Sequence, residues 1–314
     1  MNPIGGYFEL ELRKGKEYHN GAIRLNSGRN AFEYILRARE YKKVYLPYFT
    51  CDVMLEPILK LKLKYEFYRI NEQLEPIFDF NKIGADETFL YTNYFGIKGL
   101  QVIKISKNCP NLIVDNSQAF FEKPLAGIDT FYSPRKFFGV PDGAYLYTDK
   151  LIQIELDRDN SVNRFSHLIK RIEEGAETGY SDFIANNDSI KGQPIKSMSA
   201  LTRALLDNID YNKVIRTRKR NFQFFYNYLK NLNNFKLSEV ADSVPMIYPF
   251  RTTDKKLKSK LIENKIFVAT YWPNILNWCN ENMLEYTLTE QIIPLPIDQR
   301  YDANILSKLI NLII

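Results

Sequence analysis

Leu112-Ile-Val-Asp-Asn-Ser-Gln-Ala119 is the stretch that sets the reading of this chain. Three consecutive apolar residues with no polar alternation describe a strand covered on both faces, as in a parallel sheet packed between helices. The strand ends on a carboxylate, Asp115, followed at once by Asn116, Ser117 and Gln118. Ligands of open α/β sheets collect at the carboxyl ends of the strands. A charge there either caps a turn or faces a ligand, and once buried it needs a partner. Opposite a protonated heterocyclic nitrogen, an Asp would keep that nitrogen charged and a cofactor electron-poor.

Similar runs recur on both sides: Val44–Leu46, Tyr65–Tyr68, Phe89–Tyr91, Thr130–Tyr132 and Ala144–Tyr147, separated by helical patterns. From residue 20 to about 150 this rhythm predicts an α/β fold with a mostly parallel central sheet between helices. Ser133-Pro-Arg-Lys136 follows one of these strands and leads into the glycine- and proline-containing loop Phe137–Gly143. A lysine so placed suits a Schiff-base nucleophile, although surface lysines occupy such loops too. The Ser-x-x-Lys word also marks penicillin-recognising serine enzymes, but their Ser-Asp-Asn and Lys-Thr-Gly companions are missing.

Further upstream, Arg24-Leu-Asn-Ser-Gly-Arg-Asn30 precedes the helical pattern Ala31, Phe32, Ile35, Leu36. Ser27 is a natural N-cap, and Gly28 lets another group approach the first turn. The free backbone N–H groups of such a turn suit a phosphate. An ordinary capped helix carries the same sequence.

Downstream of residue 150 the rhythm gives way to a charged stretch, 153 to 192. From Ser199 the spacing of Leu201, Leu205, Ile209, Ile215, Phe222, Phe225, Leu229 and Leu232 predicts a long helix. Beyond it the chain reads as a compact αβ unit: Pro245–Phe250 as strand, 254 to 264 as helix, Ile266–Val268 as strand, and 303 to 313 as a closing helix. The expected organisation is a large ligand-binding domain over 1–198, a connecting helix over 199–233 and a small C-terminal domain over 234–314.

Composition narrows the function classes. The 314 residues are 45% apolar and 25% charged, enough for a substantial core. Forty-three Lys and Arg against 37 Asp and Glu leave a net charge of +6, dispersed where a nucleic-acid binder would concentrate it. The basic runs Arg216–Arg220 and Lys255–Lys260 fall on predicted helices and read as solvated faces. Three separated cysteines, Cys51, Cys109 and Cys279, support neither a disulfide framework nor a zinc module, and two histidines, His19 and His167, argue against transition-metal catalysis. The amino terminus has no apolar signal core, and no window approaches the roughly 20 apolar residues of a membrane span. The expectation is a soluble cytoplasmic protein that binds neither nucleic acid nor membrane.

The ordered combination of Leu25-Asn-Ser-Gly-Arg-Asn30, Leu46-Pro-Tyr-Phe-Thr-Cys51, Tyr91-Thr-Asn-Tyr-Phe-Gly96, Val114-Asp-Asn-Ser-Gln-Ala119, Tyr132-Ser-Pro-Arg-Lys-Phe137 and Leu295-Pro-Ile297 resembles the fold-type-I pyridoxal-phosphate enzymes, in particular the DegT/StrS family of sugar aminotransferases. The words run in the family's order along nearly the whole chain. The resemblance implies a fold-type-I transferase with pyridoxal 5'-phosphate as cofactor. It assigns Lys136 to hold the cofactor and then shuttle a proton, and Asp115 to pair with the pyridinium nitrogen. Gln118 and Asn93 would lie near the 3-hydroxyl. Ser133 and the backbone of Gly28, Arg29 and Asn30 would receive the phosphate, with Ser27 beside them among the cofactor-binding residues.

Two positions depart from the family pattern. Where the family commonly has a ring-stacking aromatic this chain has Cys51, so the cofactor ring would meet a thiol or be covered by Tyr48 or Phe49. Where the family has an Asn-aromatic-Arg word reaching the neighbouring subunit's phosphate, the chain has Gln193-Pro-Ile-Lys196, and Lys196 would substitute as a point charge without arginine's forked geometry. The aromatic segment Ala269–Asn274 would close over a substrate or belong to the core. The implied activity is homodimeric: transfer of an amino group, from glutamate, to a nucleotide-linked keto sugar in surface-polysaccharide or amino-sugar synthesis. Lysine at 136 favours transamination over deoxysugar dehydration, whose enzymes carry histidine there. The altered positions leave an alternative, a cofactor-fold protein that binds or regulates in the same pathway with little turnover.

Overall fold

The computed structural model describes residues 4–237 and 243–314. Its first part contains β1 (Ile23–Leu25), α1 (Gly28–Arg39), β2 (Lys43–Pro47), α2 (Leu55–Lys60), β3 (Lys64–Ile70), β4 (Pro76–Ile77) and β5 (Glu87–Thr92). Next come α3 (Gly99–Ser106), β6 (Leu112–Asp115), β7 (Asp129–Tyr132) and β8 (Ala144–Tyr147). Helices α4 (Ser166–Glu173), α5 (Tyr180–Ser189), α6 (Ala200–Asp207) and α7 (Tyr211–Leu229) follow. The chain ends with β9 (Ile247–Arg251), α8 (Leu257–Glu263), α9 (Ile275–Trp278), α10 (Leu284–Gln291), β10 (Ile292–Pro296) and α11 (Ala303–Ile313).

Eight strands form one sheet in the order β1-β8-β7-β6-β5-β2-β3-β4. β7, β6, β5, β2 and β3 are mutually parallel, β8 runs against β7 and β1, and β4 pairs antiparallel on the far edge. Alternation along the strands feeds two cores. Leu112 and Val114 face one core with Phe89, Tyr91 and Tyr132, whereas Ile113 faces the other with Leu90, Phe131 and Phe32, Ile35 and Leu36 of α1. Burial on both faces is why these strands read as continuous apolar runs.

A second sheet of two antiparallel strands, β9 and β10, carries a third core. Tyr248, Phe250, Ile293 and Leu295 pack there against Phe222, Phe225 and Leu229 of α7, Leu257 and Leu261 of α8, and Leu306, Leu309 and Ile310 of α11. The α/β architecture with a large, mostly parallel sheet and a smaller C-terminal αβ unit is as the sequence predicts.

Three expectations are corrected. The helix from Ser199 is two helices, because Asp210 accepts from the Lys213 N–H at 2.9 Å and starts α7 afresh after Asn208 has closed α6. The apolar period continues across that break, so spacing alone does not show it. Ile266–Val268 is not a strand: Lys265 adopts φ of 60°, and the Ile266 N–H returns to the Leu261 carbonyl, so the segment caps α8. The basic run 216–220 is not a wholly solvated face, since Arg218 is 1% exposed. Of the two places open to the aromatic segment, Trp272 takes the core, against Phe49 and Tyr94.

Candidate active site

The carboxyl ends of β5, β6 and β7, the turn into α1 and the loop after β7 converge on one edge of the sheet. Asp115 ends β6, is 6% exposed, and its Oδ1 accepts from the Ser117 N–H at 2.8 Å. Burial raises its pKa, opposed by the Ser117 hydrogen bonds and by the positive charge of Lys136. That same charge acts on Cys51, whose thiol pKa burial also raises. Lys136 thus lies within electrostatic range of both Asp115, at the end of β6, and Cys51, in the segment after β2. Lys136 ends a single helical turn, Pro134–Lys136, and its side chain is exposed, as a reacting amine requires.

Gln118 and Asn93 interlock beside Asp115. The Asn93 N–H donates to the Asp115 carbonyl at 3.0 Å and the Phe95 N–H to Gln118 Oε1 at 2.8 Å. The Asn93-x-x-Gly turn requires its glycine: Gly96 has φ of 71°, and a Cβ there would stand 2.8 Å from the Gln118 carbonyl oxygen. Asn93 spends its amide inside this turn, donating to Asn116 Oδ1 at 3.1 Å and accepting from the Lys98 N–H at 2.9 Å. Gln118 differs, because its Nε2 is buried and has no hydrogen-bond partner among the described residues. Such a donor costs free energy until an acceptor arrives.

At the start of α1, Ser27 caps the helix: its Oγ accepts from the Asn30 N–H at 3.2 Å and donates to Asn30 Oδ1 at 2.8 Å. The cap is as the sequence predicts, and it engages one N–H of the turn assigned to phosphate. The Asn30 N–H is spent on the cap and its side-chain amide on the Gln193 and Pro194 carbonyls, while the Arg29 guanidinium is paired with Glu56. The N–H groups of Gly28 and Arg29 bond to no described residue. A Cβ on Gly28 would rest in ordinary contact, 3.5 Å from Ser117 Oγ, so the protein alone does not demand glycine there. The Ser133 hydroxyl likewise makes no hydrogen bond with a described residue.

Tyr48 is half-buried and stacks on Phe67 with centroids 4.7 Å apart, Phe49 is fully buried, and Cys51 is half-buried. Lys196 folds onto its own chain, with Nζ 3.5 Å from Gln193 Oε1 and 4.0 Å from Asp159.

Sequence reasoning passed over three side chains that hold the Lys136 loop. Asp142 is completely buried and accepts from the Ser199 N–H at 2.9 Å, Ser199 Oγ at 2.6 Å and Thr202 Oγ1. Gln299 Nε2 donates to the Phe137 carbonyl at 2.9 Å, and Arg218 approaches the same carbonyl. Asp142 lies within the loop Phe137–Gly143 that its glycines and proline mark; Arg218 and Gln299 carried no local signal. Behind the lysine turn lies a cavity of about 550 Å³, lined by Arg135, Lys136, Arg171, Arg218 and Arg300 with Asp298 as its one carboxylate, and by Tyr180 and Phe183 among its apolar residues.

The fold is shared with solved sugar aminotransferases. DesV from S. venezuelae, solved with a ketimine intermediate, superposes with a TM-score of 0.65 at 15% identity, covering 93% of this chain and 83% of DesV. A DegT DnrJ EryC1 StrS aminotransferase from Brucella abortus gives 0.63 at 15% identity over 93% and 86%. NtdA from Bacillus subtilis, solved with bound PMP, gives 0.62 at 16% identity over 93% and 73%. No family model and no curated protein matches the sequence. At such identities the likeness establishes the fold, which is that of the fold-type-I enzymes.

Proposed function

We propose that the protein is a pyridoxal-phosphate-dependent aminotransferase that moves an amino group, from glutamate, onto the keto carbon of a nucleotide-linked sugar. The observation that carries this reading is the meeting of Lys136 and Asp115 beside unfilled donors on a fold shared with sugar aminotransferases. The residues fit the cofactor. Asp115 is a buried carboxylate short of donors, suited to a ring nitrogen cation; Gln118 Nε2 is a buried donor without an acceptor, suited to the phenolic oxygen. The Gly28 and Arg29 N–H groups and the Ser133 hydroxyl suit a phosphate at the helix N-terminus. Cys51 offers a polarizable sulfur to the ring face.

When bound, the cofactor supplies the electron sink that makes the substrate carbon acidic. The protein does the rest. The Lys136 amine anchors the ligand, is released by the incoming amino group, and then moves a proton to and from the reacting carbon. Asp115 holds a positive charge in the ring, and Gln118 fixes the ring's orientation. The cation-lined cavity with Tyr180 and Phe183 supports an acceptor that bears phosphate and a flat base.

The reading includes action as a homodimer, residence in the cytoplasm, a place in surface-polysaccharide or amino-sugar synthesis, and the domain division at 1–198, 199–233 and 234–314. Among the described residues no helix is long and apolar enough to cross a membrane, and no cluster of three or more His, Cys, Asp or Glu is placed to hold a metal. A binding or regulatory protein is the second reading, favoured by the inward fold of Lys196 onto Asp159 and Gln193.

The visible spectrum of the protein with pyridoxal 5'-phosphate, beside Lys136→Ala and before and after glutamate, decides between them. A lysine-dependent band bleached by glutamate is expected. A lysine-dependent band that no amino donor alters supports the binding protein, and absence of any band in the wild type removes the cofactor reading.

A further inference from the structure

Arg218 is an anomaly in the energetics of this fold. It stands on α7, is 1% exposed, and has no carboxylate within 4 Å among the described residues. A buried cation without a paired anion is costly, and burial lowers the Arg218 pKa to about 10. Its nitrogens are nonetheless all directed at acceptors. Nη1 donates to the Met246 carbonyl at 2.9 Å and the Pro245 carbonyl at 3.4 Å, Nε to Gln299 Oε1 at 3.2 Å, and Nη2 to the Phe137 carbonyl at 3.5 Å. The guanidinium carbon lies 4.5 Å from the centroid of the Phe137 ring.

Phe137 follows Lys136 directly. Its carbonyl accepts from both Gln299 Nε2 and Arg218, its ring lies under the guanidinium, and its own N–H closes the lysine turn on the Pro134 carbonyl at 2.9 Å. The same arginine ties α7 and the segment leading into β9 to this residue, and Gln299 brings the turn after β10. A packing role would be filled at lower cost by an apolar residue. What a guanidinium adds is a fixed fork of donors that joins three chain segments to one backbone carbonyl.

We propose that Arg218, with Gln299, is a positioning residue for Lys136: a clamp from the long helix and the C-terminal αβ unit that sets the lysine turn against the sheet edge. The inference rests on the aminotransferase reading for its catalytic consequence, but the clamp itself belongs to the cofactor-free chain. A misplacement of about 1 Å at a reacting group costs about 10²-fold in rate. Loss of the clamp therefore lowers kcat and leaves donor binding nearly unchanged, since the guanidinium is already engaged with the protein.

The test uses Arg218→Lys, Arg218→Met and Gln299→Leu in the full chain, the last removing one grip without creating or removing a buried charge. Hydrogen exchange of the cofactor-free protein is read at the Phe137 and Phe138 amides, with the β6 amides as reference. Single-turnover kinetics with glutamate are read on the loaded protein. The expected result is exchange faster by about tenfold or more at Phe137 and Phe138 with β6 unchanged, and kcat lower by about 10²-fold for Arg218→Met at a KM within about twofold. Arg218→Lys is expected to recover part of both effects, and Gln299→Leu to show both more weakly.

Uniform acceleration of exchange across β6 and the turn, or kcat per loaded site equal to wild type, overturns the proposal in favour of a structural arginine. If Arg218→Met does not fold, Arg218→Lys and Gln299→Leu decide by the same criteria. If the wild type takes up no cofactor, the aminotransferase reading fails, and the exchange measurement alone confirms or overturns the clamp.

Discussion

Two aspartates on the loops at the site edge of the sheet are both buried, yet they are in opposite circumstances. Asp142, in the loop after Lys136, accepts from a backbone N–H and two hydroxyls at the start of α6, so both oxygens are satisfied by the protein. Asp115, at the end of β6, has Ser117 as its one hydrogen-bonding neighbour among the described residues and the charge of Lys136 nearby. A satisfied buried carboxylate is structure, whereas an undersatisfied one is a reservoir of unfavourable energy that a ligand can relieve. The same contrast holds between Asn93, whose amide is spent in its turn, and Gln118, whose Nε2 is not.

The largest effect should come from the lysine that faces Asp115. Lys136→Ala removes both the covalent anchor and the proton carrier, so turnover is expected to fall by at least about 10⁴-fold with the fold intact. Absorbance after cofactor addition and a transamination assay with glutamate check this. Residual turnover above about 1% of wild type would move the chemistry to another residue.

Asp115→Asn breaks the contrast at its functional member. The loss of a charge facing the ring nitrogen is expected to lower kcat by about 10²- to 10³-fold. Stability moves the other way. Burial raises the carboxyl pKa in the folded chain, so the folded state holds its proton more tightly than the unfolded state, and stability is lost as pH rises between the two values. The cofactor-free Asn variant escapes that loss. Its advantage in urea unfolding is expected to open as pH rises above the ordinary carboxylate range, and equal pH dependence in both proteins would show that Asp115 is already compensated.

Asp142→Asn tests the other side. An Asn amide cannot accept at both oxygens, so at least one donor among Ser199 N–H, Ser199 Oγ and Thr202 Oγ1 is left buried and unpaired. A loss of about 3 kcal/mol is expected in denaturant unfolding of the cofactor-free chain. Pairing is worth more here than the charge, and a loss below about 1 kcal/mol would mean that the two aspartates do not differ as their partners indicate.

What the sequence showed and what it concealed follow the same division. Strands β2 and β5 to β8 were legible because burial enforces apolar runs, and the largely exposed β3 through its aromatic residues; Asp115 ends one such run, and Gln118 and Lys136 stand three and four residues beyond β6 and β7. The short strands β1 and β4 carry too few residues to show a period. The break at Asn208–Asp210 lies within an apolar pattern that remains in phase, and Arg218 lies in a run of cations where spacing gives no sign of burial. The Asn30 amide hydrogen was assigned to phosphate because a cap and a phosphate compete for the same N–H, a competition decided only by the Ser27 rotamer. Side chains that act through long-range carbonyl contacts, such as Gln299 on Phe137, leave no local trace.

The smallest expected effect sharpens the comparison most. Gln118 Oε1 holds the Phe95 N–H, so the side chain is fixed, and Nε2 is presented without an acceptor. Gln118→Glu keeps an acceptor for Phe95 and replaces the donor with a second acceptor, which would oppose a phenolic oxygen; Gln118→Leu removes both. If Nε2 is reserved for that oxygen, the Glu variant should retain pyridoxal 5'-phosphate about tenfold less tightly than wild type, the equivalent of about 1.4 kcal/mol. The Leu variant should show a similar affinity loss together with a looser Asn93–Gly96 turn. The retained fraction after dialysis at graded cofactor concentrations measures the difference. Affinity unchanged in the Glu variant would mean that the unpaired donor serves no ligand, and the contrast with Asn93 would then reflect only the geometry of the turn.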